Sequence, residues 1–290
     1  MAVSEPTYIL TATCPSLLGT VDVVTRLLFE QQCYVTEMHT FDDTLAEQFF
    51  IRAEFRNNAG GAVDIPALEQ QFAERAARFN MQWQIRDTAK REKVVIMVSK
   101  ADHCLQDLLH RYRTGHLPIE VPAIISNHAD MQELADWHGI PYYHFPMSAD
   151  SKPQQEEKVW QIIQQVDADL VVLARYMQVL SEQLCARLHG RAINIHHSLL
   201  PGFKGARPYH QAYDKGVKLV GATAHYISDD LDEGPIITQG VEAVDHTFTP
   251  EQLAAKGRDT ERLTLARAVK LHCERRVFLF GNKTVVFPGG

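Results

Sequence analysis

Val94-Val95-Ile96-Met97-Val98 is an unbroken apolar run in which only Met97 is not β-branched. A strand with one wet face alternates apolar and polar side chains, whereas a continuous run suits a strand buried on both faces. The sequence that follows it alternates in kind. A helix is predicted over about Asp102–Arg113, an extended stretch at Ile119–Ser126, a helix at Met131–His138 and a short strand at Tyr142–Phe145. A helix at Pro153–Val166, a buried strand at Asp169–Ala174, a helix capped by Ser181 and a strand at Ala192–Ile195 follow. This rhythm predicts a Rossmann-like domain, a mostly parallel sheet with helices on both faces, and a ligand site beyond the C-terminal strand ends. A hairpin-like region at Gly221–Val244, a helix at about Thr260–Cys273 and two short strands complete it.

N-terminal to the apolar run lies a short charged linker, DTAKREK, and before that a different pattern. Tyr8–Thr13 reads as a strand. Pro15 reads as a helix start, with Leu18, Val21, Val24, Leu27 and Leu28 on one face. Tyr34–Phe41 and Leu45–Phe55 read as strands, Pro66 opens a second helix, and Met81, Trp83 and Ile85 alternate as in a half-buried strand. The order βαββαβ predicts a ferredoxin-like antiparallel sheet with both helices on one face. Two domains are therefore expected, 7–87 and 93–290, which suits a protein of 290 residues.

Composition narrows the function classes. Hydrophobic content of 45% and charged content of 22% are those of a soluble globular protein. The net charge is −7 and there is no basic tract, so nucleic acid is not expected as a main partner. No apolar run is long enough to span a membrane, and MAVSEPTYIL lacks the pattern of a signal peptide. The five cysteines form no C-x-x-C pair; free thiols in a reducing cytoplasm are expected, with neither a disulfide framework nor a zinc site.

The chemistry is expected at Asn194-Ile195-His196-His197-Ser198-Leu199-Leu200-Pro201 and at Leu231-Asp232-Glu233-Gly234-Pro235. Positions two apart on an extended segment point the same way, so the Asn194 amide and the His196 imidazole face one pocket. The Gly-Pro pair forces a tight turn that fixes where the Asp232 carboxylate points. An amide can hold a developing oxyanion, an imidazole can carry a proton near neutral pH, and a carboxylate can orient that imidazole. Ser198 lacks the G-x-S-x-G surroundings of a hydrolase nucleophile. His196 and His197 are adjacent on a strand and point to opposite faces, which disfavours one shared metal. The plain alternative for Asn194 and His196 is a turn residue and a satisfied core histidine.

These two motifs resemble those of the folate-dependent formyltransferase family, an Asn-x-His with a Ser-Leu-Leu-Pro loop and a later Leu-Asp-x-Gly-Pro loop. The resemblance covers about residues 93–290 and implies Asn194, His196 and Asp232 as the catalytic trio. Ala174-Arg175-Tyr176-Met177-Gln178-Val179-Leu180 is similar to the family segment that lines the pterin pocket. It implies folate contacts at Met177, Gln178, Val179 and Leu180, with Ser228, Asp229, Asp230 and Leu231 closing over the ring. For Val179 and Leu180, plain core is an equal reading.

The segment Ser99-Lys100-Ala101-Asp102-His103-Cys104 has no glycine where the relatives that act on a ribonucleotide have a phosphate-binding loop. The RNA-binding extension of the methionyl-tRNA relatives is not expected either, which leaves water as acceptor. The N-terminal βαββαβ unit resembles an ACT domain, although Cys14-Pro15-Ser16-Leu17-Leu18-Gly19 departs from the Asp-Arg-Pro-Gly of many. Together with Gly205-Ala206-Arg207-Pro208-Tyr209-His210, the fusion implies the branch of the family that spends its formyl group on water. What the resemblance implies is hydrolysis of 10-formyltetrahydrofolate to formate and tetrahydrofolate, with no metal or redox cofactor. Formate would supply purine synthesis and the folate pools would be balanced. An amino-acid effector at the ACT-like domain and a homo-oligomer are the implied partners beyond the folate. A transferase to a small amine and a non-catalytic folate sensor are the rival readings.

Overall fold

A computed structural model describes residues 5–202 and 208–289. The protein divides into two compact units: one runs to Arg91 and takes in the residues from Phe287 onward, and the other is Glu92–Val286.

The first unit is β1 (Thr7–Pro15), α1 (Thr20–Glu30), β2 (Cys33–Asp43), β3 (Gln48–Asn57), α2 (Ile65–Ala77) and β4 (Gln82–Asp87). The strands form one antiparallel sheet in the order β2-β3-β1-β4. Leu10, Ala12, Ile51, Ala53 and Phe55 from the sheet pack with Val24, Leu27 and Phe72 from the helices. The Asp64 carboxylate accepts from the Ala67 N–H and caps α2, whose first turn holds Pro66. One expectation fails here. Pro15 ends β1 instead of starting a helix, and Leu18 is fully exposed. Gly19, at φ 96°, turns the backbone in a conformation that costs glycine little, so α1 begins only at Thr20.

In the second unit, β5 (Glu92–Val98), α3 (His103–Thr114), β6 (Ile119–Ser126), α4 (Gln132–Trp137), β7 (Tyr142–His144) and α5 (Lys152–Gln165) come first. Then come β8 (Leu170–Leu173), α6 (Glu182–Arg187), β9 (Ala192–His196) and α7 (Pro208–Asp214). The last elements are β10 (Leu219–Tyr226), β11 (Ile236–Ala243), α8 (Pro250–Cys273), β12 (Val277–Phe280) and β13 (Lys283–Val286). Seven strands form one sheet in the order β11-β10-β9-β8-β5-β6-β7. It is parallel from β7 through β9 and antiparallel across β9-β10-β11. The Val94–Val98 run lies mid-sheet and is fully buried. Val94, Ile96 and Val98 pack with Leu105 of α3 and Leu265 and Val269 of α8, while Val95 and Met97 pack with Val159 and Ile163 of α5 and Leu184 of α6. The chain passes from β5 to β6 on one side and from β8 to β9 on the other, so the loops after β5 and β8 diverge and leave a crevice at their C-terminal ends.

Two elements exceed the sequence reading. Helix α8 starts at Pro250, well before Thr260, because Thr249 and Gln252 form a reciprocal capping box with Pro250 in the first turn. Helix α7 was not anticipated; of the motif at 205–210, residues 205–207 lie outside the described residues.

Candidate active site

Strand β9 supplies Asn194 and His196. Its odd-numbered residues Ile193 and Ile195 enter the core facing α3 and α8, so the even-numbered ones face the other way. Strand β10 runs antiparallel alongside and sets His225 directly opposite Asn194 and Thr223 opposite His196. The Asn194 Nδ2 lies 3.3 Å from the His225 Nε2, and the His225 Nδ1 lies 2.8 Å from the Tyr226 carbonyl oxygen. A carbonyl only accepts, so the Nδ1 carries the proton, the Nε2 accepts, and the Asn194 amide donates to it. Burial pushes the His225 pKa down, against the Tyr226 hydrogen bond and the Asp232 charge, and keeps this ring neutral.

After β10 the backbone folds back over the same face. A Cβ on Gly234 would stand 1.7 Å from the Tyr226 carbonyl oxygen, so only glycine fits, and the Tyr226 N–H donates to the Pro235 carbonyl at 2.9 Å. Asp232 sits in the left-handed region at φ 59°, rare for a residue with a side chain. The result is contact: the His196 Nδ1 lies 3.1 Å from the Asp232 Oδ2. Burial raises the Asp232 pKa, but the His196 hydrogen bond and the nearby imidazoles outweigh it and hold the carboxyl below its usual range. With the Nδ1–H given to Asp232, the His196 Nε2 is the nitrogen left for chemistry; it has no hydrogen-bond partner among the described residues.

A buried network holds the Ser-Leu-Leu-Pro loop. The Thr223 hydroxyl donates to the Ser198 carbonyl at 2.8 Å and accepts from the Leu200 N–H and the Gln239 amide, each at 3.0 Å. The Ser198 hydroxyl donates to the Gly202 carbonyl at 2.9 Å, which makes Ser198 part of the loop's own turn. The Leu200–Pro201 peptide bond is cis.

Asn194, His196 and Asp232 open onto one cavity of about 370 Å³, lined also by Met177, Gln178, Val179, Leu180, Ser228, Asp229, Asp230 and Leu231. That volume suits a drug-sized ligand. Every residue expected at the site thus borders one space. Val179 is 55% exposed, which excludes plain core; Leu180 is partly buried against the α5–α6 core. The Ser99 hydroxyl donates to the Asn127 Oδ1 at 2.6 Å and accepts from the Met177 N–H at 2.9 Å, tying together the loops after β5, β6 and β8, the last of which lines the cavity.

Among the described residues, His103, Cys104 and Glu261 have ligand atoms close enough together to hold a metal ion. Their chemistry argues for a hydrogen-bonded cluster. Burial pushes the Cys104 thiol far up, and Glu261 already accepts from the His103 Nε2 at 2.8 Å and the Tyr209 hydroxyl at 2.7 Å. Burial alone would raise the Glu261 pKa, but His103, Arg175 and Tyr209 together hold it below its usual range. Sequence reasoning gave no role to His225 or Thr223, and it included Arg175 only within the segment that resembles the family's pterin-pocket lining. The first two owe their place to strand register, and Arg175 lines the cavity from the loop after β8.

A family model described as formyl transferase matches residues 92–269. The formyltetrahydrofolate deformylase of Corynebacterium sp. (strain P-1) is 52% identical over 279 residues, 96% of this chain and 97% of that protein. The crystal structure of a formyltetrahydrofolate deformylase from Pseudomonas putida KT2440 is 63% identical, covers 97% of this chain and 100% of its own, and superposes with a TM-score of 0.91. The corresponding structure from Burkholderia mallei ATCC 23344 is 55% identical, covers 98% and 100%, and gives 0.93.

Proposed function

The chain belongs to the formyltetrahydrofolate deformylase family within the formyl transferases, and from that premise we propose that Asn194, His196 and Asp232 perform its chemistry. The protein is an enzyme that hydrolyses 10-formyltetrahydrofolate to formate and tetrahydrofolate. The observation that carries the assignment of roles is the 3.1 Å contact between His196 and Asp232 on the cavity that Asn194 also lines.

The folate lies with its pterin against Met177–Leu180 and under Ser228–Leu231, and its formyl oxygen is turned toward Asn194. Water adds to the formyl carbon. As the carbonyl oxygen gains charge, the Asn194 N–H not used by His225 and the His196 Nε2–H donate to it; one such donor is typically worth roughly 10²–10³ in rate. Asp232 holds the Nδ1–H and stabilises the imidazolium, and assists removal of a proton from the water directly or through His196. The C–N10 bond then breaks, N10 takes one water proton, the other is released, and the new C–O bond leaves as formate. No metal or redox cofactor is called on.

We assign 93–290 to catalysis and 7–87 to an ACT-like regulatory role, with a small amino acid as effector and a homo-oligomer as the working form. Five free thiols support action in the cytoplasm, where the formate would serve purine synthesis and the reaction would balance the one-carbon folate pools. No helix among the described residues is long and apolar enough to cross a membrane.

The test is formate release from 10-formyltetrahydrofolate by the pure protein without an added acceptor. Asn194→Ala and Asp232→Ala should each lose most of that rate. Formyl transfer to an added amine in preference to water would overturn the reading.

A further inference from the structure

His197 has no part in the scheme above, yet it stands one residue past the end of β9 and borders the same cavity as His196. The two ring centroids are 5.2 Å apart, with the rings tilted by 40°. Two unit charges at that spacing repel enough, at an effective dielectric of about 20, to disfavour double protonation by roughly a hundredfold. The adjacent imidazoles therefore take up one added proton between them, and the mechanism requires it on His196.

The two rings face opposite charges. Asp232 stands against His196, 3.1 Å from its Nδ1. Around His197 the groups come from other elements. Tyr209 of α7 has its ring centroid 6.1 Å away and gives its hydroxyl to the Glu261 Oε1 at 2.7 Å. Burial pushes that phenol far up, so it stays neutral. Glu261 of α8 is buried, and its Oε2 accepts from the His103 Nε2 of α3 at 2.8 Å. Arg175 joins the cluster from the loop after β8. Its Nε lies 3.4 Å from the Glu261 Oε2 without hydrogen-bond geometry, and its Nε and Nη1 are buried with no hydrogen-bond partner among the described residues.

Glu261 is thus divided among Tyr209, His103 and Arg175. An ion pair of such geometry does not repay the desolvation of a guanidinium, so the pairing alone leaves this buried cation unexplained. Its backbone is also held in the left-handed region at φ 63°, where side-chain-bearing residues gather at functional sites. The Arg175 charge reaches His197. Burial is the main force that brings this ring down to about 4, and the Arg175 charge is the next. It outweighs Glu261, which acts in the opposite sense; His196 adds to it, and Asp232 opposes it weakly.

We infer that Arg175 is a positioning residue for the proton: its charge keeps His197 neutral and so confines the added proton of the two rings to His196. This inference rests on the reading of His196 as an imidazolium donor in the hydrolysis. Asp232 draws the proton from one side of the pair and Arg175 repels it from the other.

The test is 15N NMR of histidine-labelled protein, with the His197 ring assigned from His197→Asn, together with a double-mutant cycle on kcat. In the wild type His197 should stay neutral above about pH 5.5. In a folded Arg175→Gln its titration should rise by roughly one to two units, and kcat at pH 6 should fall about threefold or more as His197 competes for the proton. Arg175→Lys should keep His197 neutral over the wild-type range. His197→Asn removes the competing ring, so Arg175→Gln added to it should cost less than about twofold. A role in packing would cost the same in both backgrounds. A His197 titration unmoved in Arg175→Gln, or an equal loss of kcat in the two backgrounds, overturns the inference. If Arg175→Gln does not fold, Glu261→Gln decides: it leaves Arg175 unopposed, so His197 should be less protonated at pH 4.5 than in the wild type, and equal or greater protonation overturns the inference. A wild-type protein that releases no formate from the folate sinks the hydrolase reading instead, while the ring titrations still locate the proton.

Discussion

The Asn194 carboxamide and the His225 imidazole face each other across β9 and β10, 3.3 Å apart, with the amide donating to a ring whose other nitrogen is fixed by the Tyr226 carbonyl. This pairing decides which way the amide points. With one N–H given to His225, the second can be aimed at a ligand, whereas a flipped amide would offer its oxygen and repel a carbonyl. His225→Phe should therefore lower kcat by roughly 10-fold or more, since it misaligns an oxyanion donor without removing it. KM for the folate should change little, and His225→Gln, which keeps an acceptor, should restore part of the rate. Equal losses in the Phe and Gln variants would remove the orienting role.

Asp232 is placed to act as a carboxylate throughout the working pH range. Its pKa lies below the ordinary value of 3.8, so it stays ionised as pH falls through neutrality. Asp232→Asn keeps an acceptor for the His196 Nδ1–H but removes the charge that favours the imidazolium. The expected loss in kcat is about 10²–10⁴, the usual worth of positioned acid–base chemistry. The wild-type pH–rate profile should carry no limb from Asp232 above about pH 5. An acid limb near neutrality that vanishes in Asp232→Asn would contradict this placement.

The motifs carrying Asn194, His196 and Asp232 were legible because their constraints are local. Period-two spacing on one strand puts two side chains on one face, and a Gly-Pro turn fixes a third. The parallel sheet was legible from the Val94–Val98 run for the same reason. His225 was not, because its role comes from lying opposite Asn194, and a register between strands leaves no mark in either strand alone. The Glu261 cluster was further out of reach, since His103 and Glu261 stand 158 residues apart and meet only once α3 and α8 have packed. The early start of α8 is a different case. Thr249, Pro250 and Gln252 form a readable helix start that the apolar periodicity, which takes hold later in the helix, obscured. Pro15 misled because a proline that suits a first helical turn suits a strand end equally well.

Thr223 should matter more to stability than its size suggests. Its hydroxyl donates one hydrogen bond and accepts two, all to groups that shape the loop after His196. Thr223→Val keeps the shape and strands those partners in a fully buried place. The expected cost is about 1–3 kcal/mol, the penalty for leaving buried polar groups unmet. Denaturant unfolding would measure it, and Thr223→Ser should recover most of the loss. A Val variant as stable as the wild type would show that the loop is held by other means.

Stability should also fall on mild acidification, and two buried histidines set the window. Burial, with the Arg175 charge next, pushes His197 down to about 4, and burial likewise lowers His225. In the unfolded protein both return to about 6.5. Between those values the unfolded state binds more protons than the folded state, so stability rises with pH there. The His197 contribution is fully present above about pH 6.5 and drains away as pH drops toward 4, at up to about 1.4 kcal/mol per pH unit, and His225 acts in the same direction. Urea midpoints at pH 7.5, 6.5, 5.5 and 4.5 should trace this decline. His197→Asn, which cannot titrate, should make it shallower by about one site's worth. A slope identical to the wild type's would mean that His197 already takes up its proton in the folded protein, and its burial beside Arg175 would then have no energetic consequence.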